Sequence, residues 1–507
     1  MGMDLRKLQN GSDSRGIAVD GVAGEKVILT DSTVFLLAKA FALWLGQRAK
    51  TPLTIAVGHD SRISSPALKK AACDALIKMG CHVFDCGLAS TPSMFMSTVF
   101  PQFDCDGAIM ITASHLPYNR NGMKFFTKKG GLDKTDISAV ITFANGEIAE
   151  PGGGSLQEAD LIGVYSDFLV HTIRKGAKIR EHYEQPLAGL KILVDAGNGA
   201  GGFFVEKVLK PLGADTTGSQ FLEPDGTFPN HIPNPENEEA MQSISAAVRK
   251  YKADLGIIFD TDVDRSSAVD KNGREINRNA IIALVTSIIS ESHPGTTIVT
   301  DSVTSDELTD FIEKKCACVH HRFKRGYRNV INEAIRLNDT GVDCQLAIET
   351  SGHAALKENY FLDDGAFLTA KILIKAAQMA QEGKSIDSLI SDLRHPLESE
   401  EIRIKILAED FSVYGKMVLE TVKAYADSHA DWQVAPVNYE GIRVNFGKED
   451  GNGWMLVRMS LHDPLIPINI ESNSPGGCKA MARKLLEVIG TGFTQLDLTP
   501  LSDFAQA

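Results

Sequence analysis

The sequence predicts an α/β fold with three successive mixed α/β domains of similar topology and a C-terminal α+β domain. A chain of 507 residues is too long for one hydrophobic core. Short apolar strands alternate with amphipathic helices, which is typical of α/β layers. After about residue 393 the apolar runs become shorter and alternate, which indicates a smaller α+β unit. We expect the four domains at 1–175, 176–293, 294–395 and 396–507.

Composition and charge limit the possible partners. Hydrophobic residues make up 43% and charged residues 23% of the chain, as in ordinary globular proteins. The net charge of −13 without a long Lys/Arg run disfavours nucleic-acid partners, although a local basic pocket can bind a small anion. No apolar run approaches the ~20 residues of a membrane helix. Eight scattered cysteines without a Cys-x-x-Cys pair favour reduced thiols and the cytoplasm.

The first domain has the alternation of elements that an α/β layer requires. Ser64 or Ser65 is the expected N-cap of its second helix. The turn-rich segment Leu8–Gly16 presents Arg15, which can bind a phosphate or stand solvated. The expected elements are helix Ser32–Gly46, strand Thr54–Val57, helix Pro66–Met79, strands His82–Cys86 and Gly107–Ile111, and helices Asp133–Gly146 and Glu158–Ile173.

A polar segment follows the apolar run Gly107–Ile111. Ser114 stands beside His115 at the expected strand end, and Lys124 follows ten residues later. Such a group indicates a nucleophile or phosphate carrier with acid/base help. The alternative is a loop whose serine and threonine cap the backbone.

The second domain begins with strand Lys191–Val194, followed by a glycine-rich turn, Gly197–Gly202, and a helix to Leu212. This turn has the Gly-x-Gly-x-x-Gly pattern of a dinucleotide site, and Asp215 is near the place of a ribose-binding acid. A glycine-rich turn also serves close packing. Helix Glu238–Tyr251 and strand Leu255–Phe259 complete the domain.

Asp260-Thr-Asp-Val-Asp-Arg265, called the acidic loop below, follows that strand. Asp260, Asp262 and Asp264 repel one another unless a hard divalent cation such as Mg²⁺ neutralises them. An EF-hand is excluded because Lys271 occupies the place of its chelating glutamate. Arg265 suits phosphate geometry. The alternative is a solvated acidic turn.

The third domain contains two further candidate binding segments. The basic turn His320–Arg328, which includes Gly326 and Tyr327, can receive an anion or be solvated. Glu349, Ser351 and His353 follow the last strand, where they can bind sugar hydroxyls or cap their own turn. The expected elements are helix Ala280–Ser290, strand Thr297–Thr300, helix Asp306–Lys315 and strand Cys344–Ile348.

The C-terminal domain ends in a third candidate segment. Period-two spacing puts Arg458, Ser460 and His462 on one side of a strand or turn, where they can hold a phosphate or form a strand edge. The expected elements are strands Glu401–Ile406, Ile442–Phe446 and Trp454–Met459, and helices Ser412–Ser428 and Gly476–Ile489.

Taken in order, these motifs resemble those of the α-D-phosphohexomutase family, in its phosphoglucomutase/phosphomannomutase branch. Thr112–Pro117 is similar to the family's phosphoserine loop, Asp260–Arg265 to its metal loop, Glu349–His353 to its sugar-recognition loop and Arg458–Pro464 to its phosphate loop. Lys124, Arg15 and the turn Gly58–Ser65 also match family positions. The sequence departs from the family pattern at Leu116, Tyr327, His462, Pro467 and Asn469.

The resemblance implies a Mg²⁺-dependent mutase that interconverts hexose 1-phosphate and hexose 6-phosphate. It implies a phosphoserine at Ser114, which also ligates the metal, and a hexose 1,6-bisphosphate that serves as intermediate and activator. Lys124, Arg265, His115 and Arg15 would assist the transfer. The substrate would contact Glu349, Ser351, His353, Gly326, Tyr327, Arg458, Ser460 and His462.

The resemblance also implies a central cleft, a mobile last domain with a hinge between about Asp392 and Glu401, and a monomer or homodimer. Three alternatives remain at the level of the sequence. They are a phosphoglucosamine mutase, a nicotinamide-linked oxidoreductase built on Gly197–Gly202, and a non-catalytic phosphosugar-binding relative prompted by Leu116 and His462.

Overall fold

The computed structural model describes residues 4–460 and 463–506. Its chain forms two compact units. The first contains the residues up to Thr296 together with Ala334–Ser391, and the second contains Thr297–Glu333 and the residues from Asp392 onward. The four predicted domain boundaries are finer than this division and stay predictions.

The first unit begins with a mixed eight-stranded sheet. Its central strands Gly107–Ile111, Thr54–His59 and His82–Leu88 run parallel. Strand Gly107–Ile111 is buried along its whole length. The other strands are Gln9–Asn10, Asp13–Ile17, Arg120–Thr127, Gly130–Gly131 and Ser155–Glu158. The α-helices are Asp31–Gly46, Ser65–Lys78, Thr91–Met96, Lys134–Ala144 and Leu161–Ala177, and a 3₁₀ helix spans Leu5–Leu8.

A second, four-stranded sheet of this unit carries the acidic loop. Strands Ile192–Asp195 and Leu255–Phe259 are parallel, and Ser266–Asp270 and Glu275–Ile276 continue the sheet in antiparallel register. Every residue of Leu255–Phe259 is buried, which matches its continuous apolar sequence. Helices Glu238–Tyr251 and Arg278–Ser290 accompany the sheet.

The remaining part of the first unit places the predicted sugar-binding segment. Strands Cys344–Ile348, Ala354–Leu356 and Leu362–Asp363 pair antiparallel. The buried helix Gly365–Gln381 follows them. Shorter 3₁₀ turns are Lys357–Asn359 and Ile386–Ile390, and helix Tyr327–Asp339 contains the junction between the units.

The second unit contains a parallel strand pair, Thr297–Thr300 and Val319–Arg322, and a six-stranded antiparallel sheet. Helix Asp306–Asp310 continues into a π-helical turn, Phe311–Lys315. The sheet strands are Gln433–Val434, Ile442–Phe446, Gly453–Val457, Leu465–Ser472, Glu398–Ile406 and Leu496–Asp497. Helices Phe411–Ser428, Gly477–Ile489 and Thr499–Gln506 complete the unit, with a 3₁₀ turn at Lys448–Asp450.

The structure corrects two sequence predictions and confirms the position of a third. The helix expected to run to Leu212 is a π-helical turn, Phe204–Leu209. The strand expected over Trp454–Met459 ends at Val457. Ser64 occupies the predicted N-cap position but makes no side-chain cap bond. Its hydroxyl instead lies 2.9 Å from the amide nitrogen of Asn121.

Two further predictions concern the cysteines and the possibility of a membrane-spanning helix. The eight cysteines, all within the described residues, form no disulfide bond, and seven of them are buried. Among the described residues, no helix combines the length and the apolar character needed to cross a membrane.

Candidate active site

Ser114 lies beyond the carboxyl end of the buried strand Gly107–Ile111. Its backbone φ of 51° is in the left-handed region, which costs a residue with a Cβ roughly 1–3 kcal/mol. Thr112 supports this bend, because its hydroxyl accepts a 3.0 Å hydrogen bond from the Ser114 N–H. The turn therefore fixes Ser114 in an unusual conformation, and strain of this kind clusters at functional sites.

The Ser114 hydroxyl contacts groups from the acidic loop. Its Oγ donates to Asp260 Oδ2 at 3.0 Å and accepts from Arg265 Nη2 at 3.1 Å. His115 Nδ1 lies 3.3 Å from the same Oγ. The structure thus brings together Ser114, His115, Asp260 and Arg265, which the sequence places in two distant segments.

Arg62 holds the segment Ser114–Arg120, called the serine loop below. The Arg62 side chain is fully buried, and its guanidinium donates to backbone carbonyls of Ser114, Leu116, Pro117 and Arg120. The Asp60 carboxylate lies 3.2 Å from Arg62 Nε. The polar turn Gly58–Ser65, which contains Asp60 and Arg62, matches a family position but had no predicted role. A charged pair directly after a buried strand was the available signal.

The three aspartates of the acidic loop converge. One carboxylate oxygen of each lies within 4.8 Å of the others. Lys124 Nζ donates to Asp262 Oδ2 at 2.9 Å and to Asp264 Oδ2 at 2.5 Å. The opposite oxygens, Asp262 Oδ1 and Asp264 Oδ1, are buried and accept no hydrogen bond within residues 4–460 and 463–506. Buried oxygens without a donor suit a hard cation.

The charges at this site also fit a cation. Four carboxylates, those of Asp260, Asp262, Asp264 and Asp363, face three basic groups, those of Lys124, Arg265 and His353, so negative charge is in excess. Burial and the neighbouring Asp264 raise the pKa of Asp260 well above its ordinary value. Burial also acts to raise the pKa of Asp264, but Lys124 and other nearby basic groups outweigh it and hold that pKa far below the usual range. The residues therefore fit a divalent metal ion.

His115 is an acceptor in this arrangement. Arg265 Nη2 donates to its Nδ1 at 2.6 Å, so this ring nitrogen carries no proton. Burial lowers the pKa of His115 well below the ordinary value, and the positive charges of Arg265 and Arg15 lower it further. The neutral ring positions the Arg265 guanidinium at the Ser114 hydroxyl.

Arg15 lies on strand Asp13–Ile17, which pairs with the strand that carries Lys124. Its Nη2 donates to Asp13 Oδ2 at 2.8 Å. Its charge acts on both His115 and Arg62. Arg15, the predicted phosphate ligand, is therefore a mostly buried arginine whose charge acts on neighbouring site residues, and not a solvated arginine.

The predicted sugar-binding residues follow strand Cys344–Ile348. Glu349 and Ser351 are buried, and Ser351 Oγ lies 3.5 Å from the Glu349 carboxylate. His353 Nδ1 lies 2.6 Å from Asp363 Oδ2. Burial lowers the pKa of His353, but Asp363 and Asp264 together raise it to about 9. Asp363 was not among the predicted site residues, because the short strand Leu362–Asp363 that carries it has no clear sequence pattern.

The sugar-binding segment contacts the acidic loop through the backbone. Arg265 and His353 form an antiparallel bridge. A Cβ at Gly365 would lie 2.6 Å from the Arg265 carbonyl carbon, so the chain needs glycine at this approach. The structure thus brings His353 close to Arg265 and Asp264.

The other predicted substrate residues belong to the second compact unit. Arg458 is buried and Ser460 is partly exposed, and both follow strand Gly453–Val457. Glu440 lies between this segment and the basic turn. Its carboxylate accepts from the Arg325 N–H at 2.9 Å and lies 3.8 Å from Arg458 Nη1. Gly326 and Tyr327 follow Arg325, and His462 lies outside the described residues.

The glycine-rich turn Gly197–Gly202 is filled by protein atoms. A Cβ at Gly202 would lie 2.2 Å from the carbonyl oxygen of Leu222, and one at Gly199 would lie 2.7 Å from that of Thr261. The candidate ribose ligand Asp215 pairs instead with Lys191 at 3.0 Å. These contacts favour the packing interpretation over a dinucleotide site.

Comparison with known proteins supports the resemblance. Three family models match in order, described as phosphoglucomutase/phosphomannomutase α/β/α domain I at residues 6–147, domain II at 165–273 and domain III at 277–396. Together they cover more than half of the chain. With the further sheet of the C-terminal region, they confirm the predicted fold class.

Individual proteins match over nearly the whole chain. The phosphoglucomutase of Neisseria gonorrhoeae is 28% identical over 475 residues, covering 93% of this chain and 95% of that protein. The phosphoglucomutase/phosphomannomutase of Thermococcus kodakarensis is 29% identical over 479 residues, covering 93% and 96%. A solved phosphoglucomutase/phosphomannomutase family protein from Burkholderia thailandensis has a TM-score of 0.78 at 25% identity, covering 97% and 99%.

Proposed function

This chain belongs to the phosphoglucomutase/phosphomannomutase family, and we propose that it is an isomerase that interconverts hexose 1-phosphate and hexose 6-phosphate. The sugar is glucose, mannose or both. The observation that carries the proposal is the contact of the Ser114 hydroxyl with Asp260 and Arg265. A phosphoryl carrier needs a positioned hydroxyl beside cationic groups that stabilise the transferring charge.

In the proposed reaction Ser114 Oγ carries the phosphoryl group. Transfer breaks the bond between phosphorus and Ser114 Oγ and forms one to a sugar hydroxyl oxygen, whose proton is passed to Ser114. The resulting hexose 1,6-bisphosphate, which also serves as activator, returns its other phosphate to Ser114. Arg265 stabilises the transferring group from 3.1 Å, and Lys124 orients two carboxylates beside it.

The metal in this proposal is Mg²⁺. Asp260, Asp262 and Asp264 would hold it together with Ser114. A bound Mg²⁺ ion would neutralise negative charge on the phosphoryl group. The support is the pair of buried oxygens, Asp262 Oδ1 and Asp264 Oδ1, that accept no hydrogen bond in the described part of the chain.

Substrate recognition is assigned to two groups of residues. Glu349, Ser351 and His353 would bind sugar hydroxyls, and the hydrogen bond between His353 Nδ1 and Asp363 would fix the orientation of the imidazole ring. The non-transferring phosphate would contact Arg458, Ser460, His462, Gly326 and Tyr327. Cysteines that form no disulfide bond and are mostly buried support a cytoplasmic enzyme, which we propose to be a monomer or homodimer.

The proposal is tested by parallel kinetics with glucose 1-phosphate, mannose 1-phosphate and glucosamine 1-phosphate, each with Mg²⁺ and glucose 1,6-bisphosphate. We expect turnover of the first two and one phosphate on Ser114 by peptide mass spectrometry. Ser114→Ala should lose both signals, whereas Ser138→Ala, at an exposed serine on helix Lys134–Ala144, should keep them. Preferred turnover of glucosamine 1-phosphate would make the protein a phosphoglucosamine mutase.

The remaining alternatives have distinct outcomes. A nicotinamide-linked enzyme would show a dinucleotide-dependent thermal shift. We expect none, because protein atoms fill the space at the turn Gly197–Gly202 where a dinucleotide would bind. A non-catalytic relative would bind phosphosugars without converting them. The departure at Leu116 does not favour it, because only the backbone carbonyl of Leu116 accepts the hydrogen bond from Arg62.

A further inference from the structure

Thr91, the first residue of helix Thr91–Met96, makes two hydrogen bonds to the acidic loop. Its backbone N–H donates to the Asp262 carbonyl at 2.8 Å, and its hydroxyl donates to Asp262 Oδ2 at 2.5 Å. Both side chains are buried. The two residues are 171 positions apart in the sequence, so these contacts are purely tertiary.

The hydroxyl determines how the Asp262 carboxylate is oriented. Asp262 Oδ2 accepts from Thr91 and also from Lys124, whereas Asp262 Oδ1 accepts from no described residue. The carboxylate torsion of aspartate is broad and nearly two-fold, so either oxygen could otherwise face Lys124. Two donors on one oxygen stop this exchange and leave Oδ1 as the free ligand atom.

The backbone bond holds a strained part of the same loop. Val263 has a φ of 66°, which is a genuine outlier for a β-branched residue. The backbone carbonyl of Asp262, the residue before Val263, accepts the Thr91 N–H. The Val263 carbonyl accepts the Gly365 N–H at 3.1 Å. Contacts on both sides of the outlier are what such a conformation needs to persist.

We propose that Thr91 is a positioning residue for the metal site: its hydroxyl fixes the Asp262 carboxylate so that Oδ1 faces the cation. The inference rests on the proposed function for the identity of that cation as Mg²⁺. Groups that hydrogen-bond a metal ligand typically change metal affinity or activity by 10–100-fold.

The test compares matched variants of the full chain. Thr91→Val removes the hydroxyl but keeps the shape and the backbone N–H, and Thr91→Ser keeps the hydroxyl. Thr98→Val is the control, because Thr98 is equally buried and its hydroxyl donates to the nearby Phe95 carbonyl. The Kd of Mg²⁺ is measured by calorimetry on dephosphorylated protein, and Tm is measured with EDTA. Thr91→Ala replaces Thr91→Val should the latter not fold.

We expect Thr91→Val to raise the Mg²⁺ Kd at least about tenfold, while Thr91→Ser and Thr98→Val stay within about threefold of the unsubstituted protein. An unchanged Kd in Thr91→Val, or an equal rise in Thr98→Val, would overturn the inference. Absence of Mg²⁺ binding to the unsubstituted protein would also overturn it. Failure of sugar-phosphate conversion with these Kd shifts intact would instead overturn only the proposed function.

Discussion

Ser114 Oγ lies 3.0 Å from Asp260 Oδ2, although 146 residues separate them in the chain. Each residue follows the carboxyl end of a fully buried strand, Gly107–Ile111 in one sheet and Leu255–Phe259 in another. The contact joins a hydroxyl that can carry a phosphoryl group to the carboxylates that can hold a cation. This relationship makes the two sequence motifs parts of one site.

Lys124→Met should destabilise the metal-free protein. The substitution leaves the carboxylates of Asp262 and Asp264 buried without their ammonium partner, and breaking such a pair costs about 3–5 kcal/mol. We expect this loss of unfolding free energy in EDTA and a smaller loss with saturating Mg²⁺, because a bound cation restores positive charge. Urea unfolding in both buffers measures it. Lys128→Met, at an exposed lysine, is the control, and an equal loss in both buffers would contradict the expectation.

Arg62→Ala should slow catalysis beyond its effect on stability. Four carbonyls of the serine loop lose their donor, and a displacement of 1 Å can cost about 100-fold in rate. We therefore expect kcat to fall about 100-fold. Leu76→Ala is the matched control, since Leu76 is buried in the helix Ser65–Lys78 that follows the same turn and its truncation costs about 2–5 kcal/mol. Equal kcat values for the two folded variants would refute the role of Arg62.

Glu471→Gln should change the pH dependence of stability. Burial raises the pKa of Glu471 to about 7, and Glu307 adds to this effect against Trp454 and Arg443. The folded pKa exceeds the unfolded value near 4.5, so the stabilising contribution is complete below pH 4.5 and is lost as the pH rises through 7. Each pKa unit corresponds to about 1.4 kcal/mol.

We accordingly expect the Tm of Glu471→Gln to exceed that of the unsubstituted protein at pH 8 and to match it at pH 4. Scanning calorimetry at both pH values provides the measurement. Glu400→Gln, on the exposed side of strand Glu398–Ile406, should show no such difference. A Tm difference for Glu471→Gln that is the same at both pH values would rule out this carboxyl as the titrating group.

Limited proteolysis can narrow the range of residues in which the predicted hinge lies. The compact units divide between Ser391 and Asp392, and strand Glu398–Ile406 is already paired from its first residue. We expect subtilisin to cut at 392–397 and expect glucose 1-phosphate with Mg²⁺ to slow this cut. The exposed segment 150–153 serves as the reference site in the same digest. Equal slowing at both sites, or none at 392–397, would count against a ligand-dependent hinge.

The sequence by itself determined the order of elements and the chemistry of their ends. Helix Glu238–Tyr251 and strand Leu255–Phe259 have the predicted bounds, because their periodicity and apolar runs are local properties of the chain. The acidic loop was visible for the same reason. Three carboxylates after a buried strand indicate a cation without any knowledge of the fold.

Only the tertiary structure decided which residues support the motifs. Thr91 on Asp262 and Arg62 on the serine loop are contacts between distant segments. Asp363 meets His353 because the ten residues between them fold back into a strand pair. It also showed that the glycines of Gly197–Gly202 make room for neighbouring backbone. A side chain's partner depends on how strands and loops from different sheets meet in space, and a local pattern carries no record of that meeting.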